Sequence, residues 1–127
     1  MFEFRARGLV PILAHPERAS ALQQEPHLAD NLIQYGAMLQ VNLSSLQGVY
    51  GKRVHNTALE WIKAGKVQLL ATDSHRVRRL NLLKLRRGIR SFDTLMVLNP
   101  RAVLEDKPIA PVPPHQGLLR RMFGSKT

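Results

Sequence analysis

The chain contains no cysteine, which excludes disulfides and thiolate-held metals alike. Any metal ion must therefore be held by His, Asp, Glu and water, a mixed nitrogen and oxygen environment that suits manganese, iron or zinc. Aromatic residues are sparse, with four Phe, two Tyr and one Trp in 127 residues. Neither an RNP-like motif nor a helix-turn-helix signature is present, which disfavours sequence-specific nucleic-acid recognition. No apolar run approaches the roughly 20 residues that a membrane-spanning helix needs. Residues 1–8 also lack the basic-then-apolar order of a signal peptide, so the expectation is a soluble, cytoplasmic protein.

Acidic residues are scarce as well. Nine Asp and Glu stand against nineteen Lys and Arg, for a net charge of +10. Such an excess attracts polyanions: nucleic acid, an anionic membrane surface, or a phosphorylated substrate. Charge alone does not choose among these. The apolar fraction of 44% is sufficient for one packed core.

Hydrophobic patterning divides the first hundred residues into alternating strands and helices. Leu9–Ala14 is a short apolar run bounded by Gly8 and His15-Pro16, which predicts a fully buried strand, with Pro11 suggesting one free edge. Pro26 suits the first turn of a helix whose stripe is Leu28, Leu32 and Tyr35, stopped by Gly36. A second strand covers Ala37–Leu43 and ends at Ser44-Ser45. A helix follows from about Lys52 to Ala64, with Val54, Ala58, Trp61 and Ile62 on one side and Gly65 as its end. Val67–Ala71 predicts a third buried strand. The next helix spans roughly Leu80 to Phe92, burying Leu82, Leu85, Ile89 and Phe92. Asn99-Pro100 reads as a cap followed by a first-turn proline, opening a short helix to about Glu105. From Pro108 the chain is proline-rich and basic, so residues 108–127 are expected to be an extended or disordered tail beyond a folded part at 1–107.

The order is β-α-β-α-β-α-α, an α/β fold in which strands joined by helical crossovers run parallel. Parallel strands point the same way. His15, Ser44-Ser45 and Asp73/His75 should therefore emerge at one carboxyl-terminal edge, where α/β enzymes build their sites.

Two motifs at that edge carry chemistry. Thr72-Asp73-Ser74-His75 offers two metal-ligand types at i and i+2, a spacing that puts both on one face of extended chain. Alone it is a weak signal; directly after a buried strand it is stronger. His15-Pro16-Glu17-Arg18 adds an imidazole, a common metal ligand, and a guanidinium able to hold a phosphate through two parallel bonds. The bland alternative makes His15 a strand-end cap and Glu17–Arg18 a solvated charge pair. Ser44-Ser45 fits a phosphate contact or an ordinary hydroxyl-closed turn. His27, His55 and His115 read as surface or packing residues. The arginines at 76, 78, 79, 86, 87 and 90 form either a solvated face or an electropositive rim; Arg76 and Arg79, shortly after His75, are the candidate substrate contacts.

Taken in order, these segments resemble the PHP-type protein-tyrosine phosphatases of bacterial capsular and exopolysaccharide loci, the CpsB/YwqE family. The resemblance runs through Arg7–Arg18, Tyr35-Gly36-Ala37, Val41–Gly48, Gly51-Lys52, Thr72–His75 (Ser-Asp-Ala-His is usual) and Asn99–Glu105, covering most of residues 1–107. It implies a distorted (β/α)7 TIM-like barrel with a multinuclear, commonly manganese, cluster. The implied activity is hydrolysis of phosphotyrosine on the tail of a polysaccharide co-polymerase kinase. Carried over by motif, His15, Asp73 and His75 are implied metal ligands and Arg18 the implied phosphate-binding residue.

One feature of the pattern is missing. Such enzymes begin with a His-x-His and further His, Glu and Asp ligands, and this chain has no His-x-His. The expectation is accordingly a partial barrel, the C-terminal half of such a phosphatase. Its activity would be weak or absent unless a separately encoded N-terminal half or a homo-oligomer completes it. Two rivals remain: a basic module binding nucleic acid or anionic membrane, and another PHP phosphoesterase such as histidinol phosphatase, to which Val41–Gly48 fits less well.

Overall fold

The computed structural model describes residues 2–75 and 80–114. A short helix α1 (Phe2–Ala6) leads into strand β1 (Ile12–Ala14), a 3-10 turn at Pro16–Arg18, and helices α2 (Ser20–Gln24) and α3 (His27–Gln34). Strand β2 (Met38–Asn42) runs directly into a single turn α4 (Leu43–Leu46), followed by α5 (Lys52–Lys63) and strand β3 (Leu69–Ala71). Helix α6 (Leu82–Gly88), a π turn at Thr94–Leu98 and α7 (Asn99–Leu104) complete the order. The strands form one sheet, β1-β2-β3, parallel throughout, with Ala14 opposite Gln40 and Asn42 opposite Ala71. The expected parallel α/β order therefore holds. No helix among the described residues is long and apolar enough to cross a membrane.

The core lies on one face of this sheet. Leu39 and Val41 from β2 and Leu70 from β3 pack with Leu43, Leu46, Ala58, Trp61, Ile62, Leu85, Ile89 and Leu95. Side chains alternate along a strand, so Ile12, Ala14, Met38 and Gln40 share the opposite face. They are exposed or half-buried there. Parallel sheets are ordinarily covered on both faces; here the opposite face is covered at Asn42 and Leu69, which are buried, and open toward β1.

β1 departs from the expected buried strand. Leu9 and Val10 are 55% and 56% exposed and Ile12 is 40% exposed. The run is apolar, but β1 is the sheet's edge strand, paired among the described residues with β2 alone, and Val103, Asp106 and Lys107 leave an open pocket over Leu9, Val10 and Ile12. The free edge suggested by Pro11 is present. Apolar composition marked this segment for burial, and its place at the sheet edge leaves it exposed.

Other departures are local. Tyr35 and Leu82, expected in the core, are 57% and 48% exposed. The helix expected to reach Phe92 stops at Gly88, where Ile89 turns extended yet remains buried. Asn99 is no cap, because α7 continues straight from the π turn with helical backbone at Leu98. Its buried side chain donates to the carbonyl oxygens of Gln68, at 2.9 Å, and Ala110, and accepts from the Ala110 amide at 2.9 Å. Gly65 stands at φ +71, and a Cβ there would lie 2.6 Å from the carbonyl oxygen of Val112. Residues 108–114 are thus laid against the end of α5 and the start of α7. At the far end of α7, Lys107 and Arg101 bond the exposed Glu105 and hold its carboxyl below the usual range.

Candidate active site at the strand ends

Each strand ends in a residue of chemical interest, and the register brings the ends together. The His15 amide donates to the Gln40 carbonyl at 2.9 Å, extending the β1–β2 ladder by one bond. His15 then turns the chain with a left-handed backbone, φ 41 and ψ 50, into the Pro16–Arg18 turn. Asp73 does the same after β3, at φ 46. Left-handed backbone costs a non-glycine residue about 1–2 kcal/mol, and such strain concentrates at functional sites. Both positions lie within motifs singled out by their side chains.

The two motifs are stitched together by a residue that drew no functional reading. Asn42, last in β2, is 1% exposed. Its backbone amide donates to Glu17 Oε1 at 3.0 Å, while its side-chain Nδ2 donates to Asp73 Oδ2 at 3.2 Å. Glu17 is fully buried and also accepts from Ser45 Oγ at 2.6 Å. The solvated Glu17–Arg18 pair therefore does not exist: the carboxyl turns inward and the guanidinium outward. Ser45 is spoken for, since its hydroxyl holds Glu17, and Ser44 is buried beside it. An isolated buried carboxyl is costly unless bonded, and these contacts offset much of that cost. Glu17 Oε2 and Asn42 Oδ1 have no hydrogen-bond partner among the described residues.

Asp73 and His75 come together in a tight loop and not along extended chain, since Asp73 has left-handed backbone. His75 Nε2 lies 3.4 Å from Asp73 Oδ1, with the His75 side chain 86% exposed. His15 and Arg18 line a cavity of about 560 Å³ along with apolar Leu13, Ala14, Pro16 and Leu22. Arg18 is exposed, and its guanidinium carbon lies 4.2 Å from the centroid of the Tyr50 ring. Arg76 and Arg79 fall outside the described residues, as does His115. Arg86, from the expected basic rim, is engaged by Asp93 at 3.2 Å. Neutral or anionic nitrogen and oxygen donors at His15, Asp73 and His75 suit a divalent ion in kind. Among the described residues, however, no three His, Asp or Glu side chains gather closely enough to hold one.

Glu17, Asn42 and Tyr50 were the residues that motif reading missed. Asn42 is legible in retrospect only through its position, one residue past an apolar strand. No sequence signal distinguishes a buried Glu17 from a solvated one.

The comparisons with known proteins bear on the family and the fold. Residues 1–105 match the family model described as capsular polysaccharide synthesis, CpsB/CapC. The chain is 28% identical over 130 residues to the tyrosine-protein phosphatase YwqE of Bacillus subtilis, an alignment covering 97% of this chain and 51% of YwqE. It is 36% identical over 76 residues to the putative tyrosine-protein phosphatase CapC of Staphylococcus aureus, covering 60% of this chain and 30% of CapC. A crystal structure from work on YwqE and the CpsB of Streptococcus pneumoniae, described as metal-dependent tyrosine phosphatases, superposes with a TM-score of 0.75 at 27% identity. That match covers 90% of this chain and 49% of the other, so the chain spans about half the length of the first relatives it matches. With a family match across residues 1–105, the chain belongs to the CpsB/CapC family of capsular polysaccharide synthesis.

Proposed function

We propose that this chain supplies one side of a metal-dependent tyrosine-phosphatase site, and that it hydrolyses little or nothing until the other side is present. The observation that carries the reading is Asn42, which ties the turn bearing His15 and Arg18 to the loop bearing Asp73 and His75. Two motifs 55 residues or more apart in sequence thereby become one edge of one site. Glu17 anchors the turn from below, and Arg18 presents its donors outward.

In this reading His15, Asp73 and His75 are part of a ligand set for manganese or another divalent ion. When bound, such an ion supplies positive charge that polarises phosphoryl oxygens. Arg18 binds the phosphoryl group and offsets the charge it develops. Arg76 and Arg79 extend the cationic approach toward an acidic, tyrosine-phosphorylated kinase tail. The +10 charge supports the same approach through long-range steering.

The missing side has a structural counterpart. A parallel sheet open toward β1 on one face, with exposed apolar side chains at Leu9, Val10 and Ile12, fits one part of a divided barrel. The shared length of about half with YwqE supports the same view. The remaining strands of a (β/α)7 barrel would pair with β1 and cover Ile12, Ala14, Met38 and Gln40. They would come from an N-terminal half in the same or a separate chain.

The test is an assay of the purified 127-residue chain with manganese and an aryl phosphate, alone and mixed with a polypeptide matching the N-terminal half of YwqE. Turnover should be slight alone, rise on mixing, and fall in Asp73→Ala. Robust turnover by the chain alone, lost in His75→Ala, would overturn the proposal that a second half is required. Equal turnover in wild type and in His15→Ala, Asp73→Ala and Arg18→Ala would overturn the site itself.

A further inference from the structure

An exposed arginine ordinarily samples many rotamers, and fixing its guanidinium costs entropy. Arg18 is held at both ends. At the backbone, its neighbour Glu17 is locked by the Ser45 hydroxyl and the Asn42 amide, and the Arg18 amide closes the turn onto the His15 carbonyl at 3.1 Å. At the far end, the guanidinium carbon lies over the Tyr50 ring, 4.2 Å from its centroid and within cation–π range. Tyr50 reaches this place because the loop after α4 doubles back through two glycines with left-handed backbone, Gly48 at φ 80 and Gly51 at φ 92. The loop is closed by the Gly51 amide on the Gly48 carbonyl at 3.1 Å.

No carboxylate among the described residues forms an ion pair with Arg18. Among the described residues, the Tyr50 ring is therefore the contact that orients its tip. A stacked guanidinium has one face covered, while its N–H donors point outward in the plane. Two parallel donors in that plane are what a phosphoryl group takes from arginine. Arg18 also walls the 560 Å³ cavity beside His15, whose apolar sides are Leu13, Pro16 and Leu22. An apolar wall next to an oriented guanidinium suits an aryl phosphate monoester.

From this geometry we infer that Tyr50 is a positioning residue: its ring fixes the plane of the Arg18 guanidinium so that the N–H edge meets the phosphoryl group of an aryl phosphate. The inference rests on the phosphate-binding reading of Arg18 given above and adds to it a residue that acts through Arg18. It requires the electron-rich face of an aromatic ring at position 50, and it does not require the phenolic hydroxyl.

The experiment is a titration of the full 127-residue chain with phenyl phosphate, followed by NMR of the Arg18 side chain. Wild type, Tyr50→Phe, Tyr50→Leu and Tyr50→pentafluorophenylalanine are compared, with Arg18→Lys as control. The Arg18 resonances should be displaced by the ring in wild type and in Tyr50→Phe, and phenyl phosphate should perturb them in both with similar affinity. Tyr50→Leu should lose the displacement and bind roughly two- to fivefold more weakly, the worth of a partly exposed cation–π contact. The pentafluoro side chain keeps the ring's shape and reverses its quadrupole, so it should weaken binding like Leu without disturbing the fold. Unchanged affinity in both Tyr50→Leu and the pentafluoro variant would overturn the role of the ring. Absence of phenyl phosphate binding in wild type, with the Arg18 displacement intact, would overturn the phosphate reading of Arg18 itself. Those two failures are distinguishable.

Discussion

Ser45 Oγ donates to Glu17 Oε1 at 2.6 Å, joining the turn after the first strand to the helix after the second. Through it, a carboxyl with no exposure sits beneath a site whose Arg18 and His75 face solvent and whose His15 and Asp73 are half-buried. That arrangement separates two jobs. Glu17, Ser45 and Asn42 hold the strand ends in place, and His15, Arg18, Asp73 and His75 remain available for chemistry.

Removal of the anchor should therefore cost stability. Glu17→Ala leaves the Asn42 amide and the Ser45 hydroxyl without their acceptor and opens a buried void, for an expected loss of about 3 kcal/mol. Glu17→Gln keeps an acceptor oxygen and should cost less, and Ser45→Ala about 1–2 kcal/mol. Urea unfolding of the three variants gives the order. Equal stability of Glu17→Ala and wild type would show that the carboxyl is not buried as described.

At His15 the backbone and the side chain should part company. With φ at 41, glycine fits the left-handed backbone better than alanine does. His15→Gly is expected to be more stable than His15→Ala by about 1 kcal/mol, although neither retains the imidazole. Both should lower manganese uptake, measured by mass spectrometry of the chain in whichever assembly binds the metal. If the alanine variant is the more stable one, the turn is not strained at this residue.

Gly65 tests the seat of the tail. A Cβ at this position would lie 2.6 Å from the Val112 carbonyl oxygen, and its backbone is left-handed. Gly65→Ala should cost about 2 kcal/mol or more and should speed proteolysis beyond residue 107. Asn99→Ala removes the bonds to Ala110 and Gln68 and should act in the same direction. Unaltered cleavage rates in both would mean that residues 108–114 are not held there.

The edge of the sheet predicts behaviour in concentrated solution. Leu9, Val10 and Ile12 stand exposed at and just before an edge strand whose outer side pairs with no strand among the described residues, a combination that invites self-association. Light scattering should show mass rising with concentration, and Ile12→Lys should suppress the rise. A wild-type chain that stays monodisperse and monomeric would contradict the reading of this edge as one side of a divided barrel.

Much of this was determined by the sequence alone. Apolar runs interrupted by glycine and helical stripes were enough for three parallel strands with helical crossovers, because burial and chain reversal act on local patterns. Parallel strands in turn required His15, Ser45 and Asp73 to emerge at one edge, and the ordered motifs carried the family. Tertiary structure decided the rest. Whether Glu17 faced water or the core depended on Ser45, 28 residues away. Whether Asn99 capped a helix or clamped the tail depended on Ala110 and Gln68. Leu9–Ala14 had the composition of an interior strand and became an exposed edge, since burial is a property of neighbours and not of residues. The sharpest case is Asn42, which the local pattern marked only as a strand's end. Its two hydrogen bonds, to partners 25 and 31 residues distant, join the two motifs into one edge of a site.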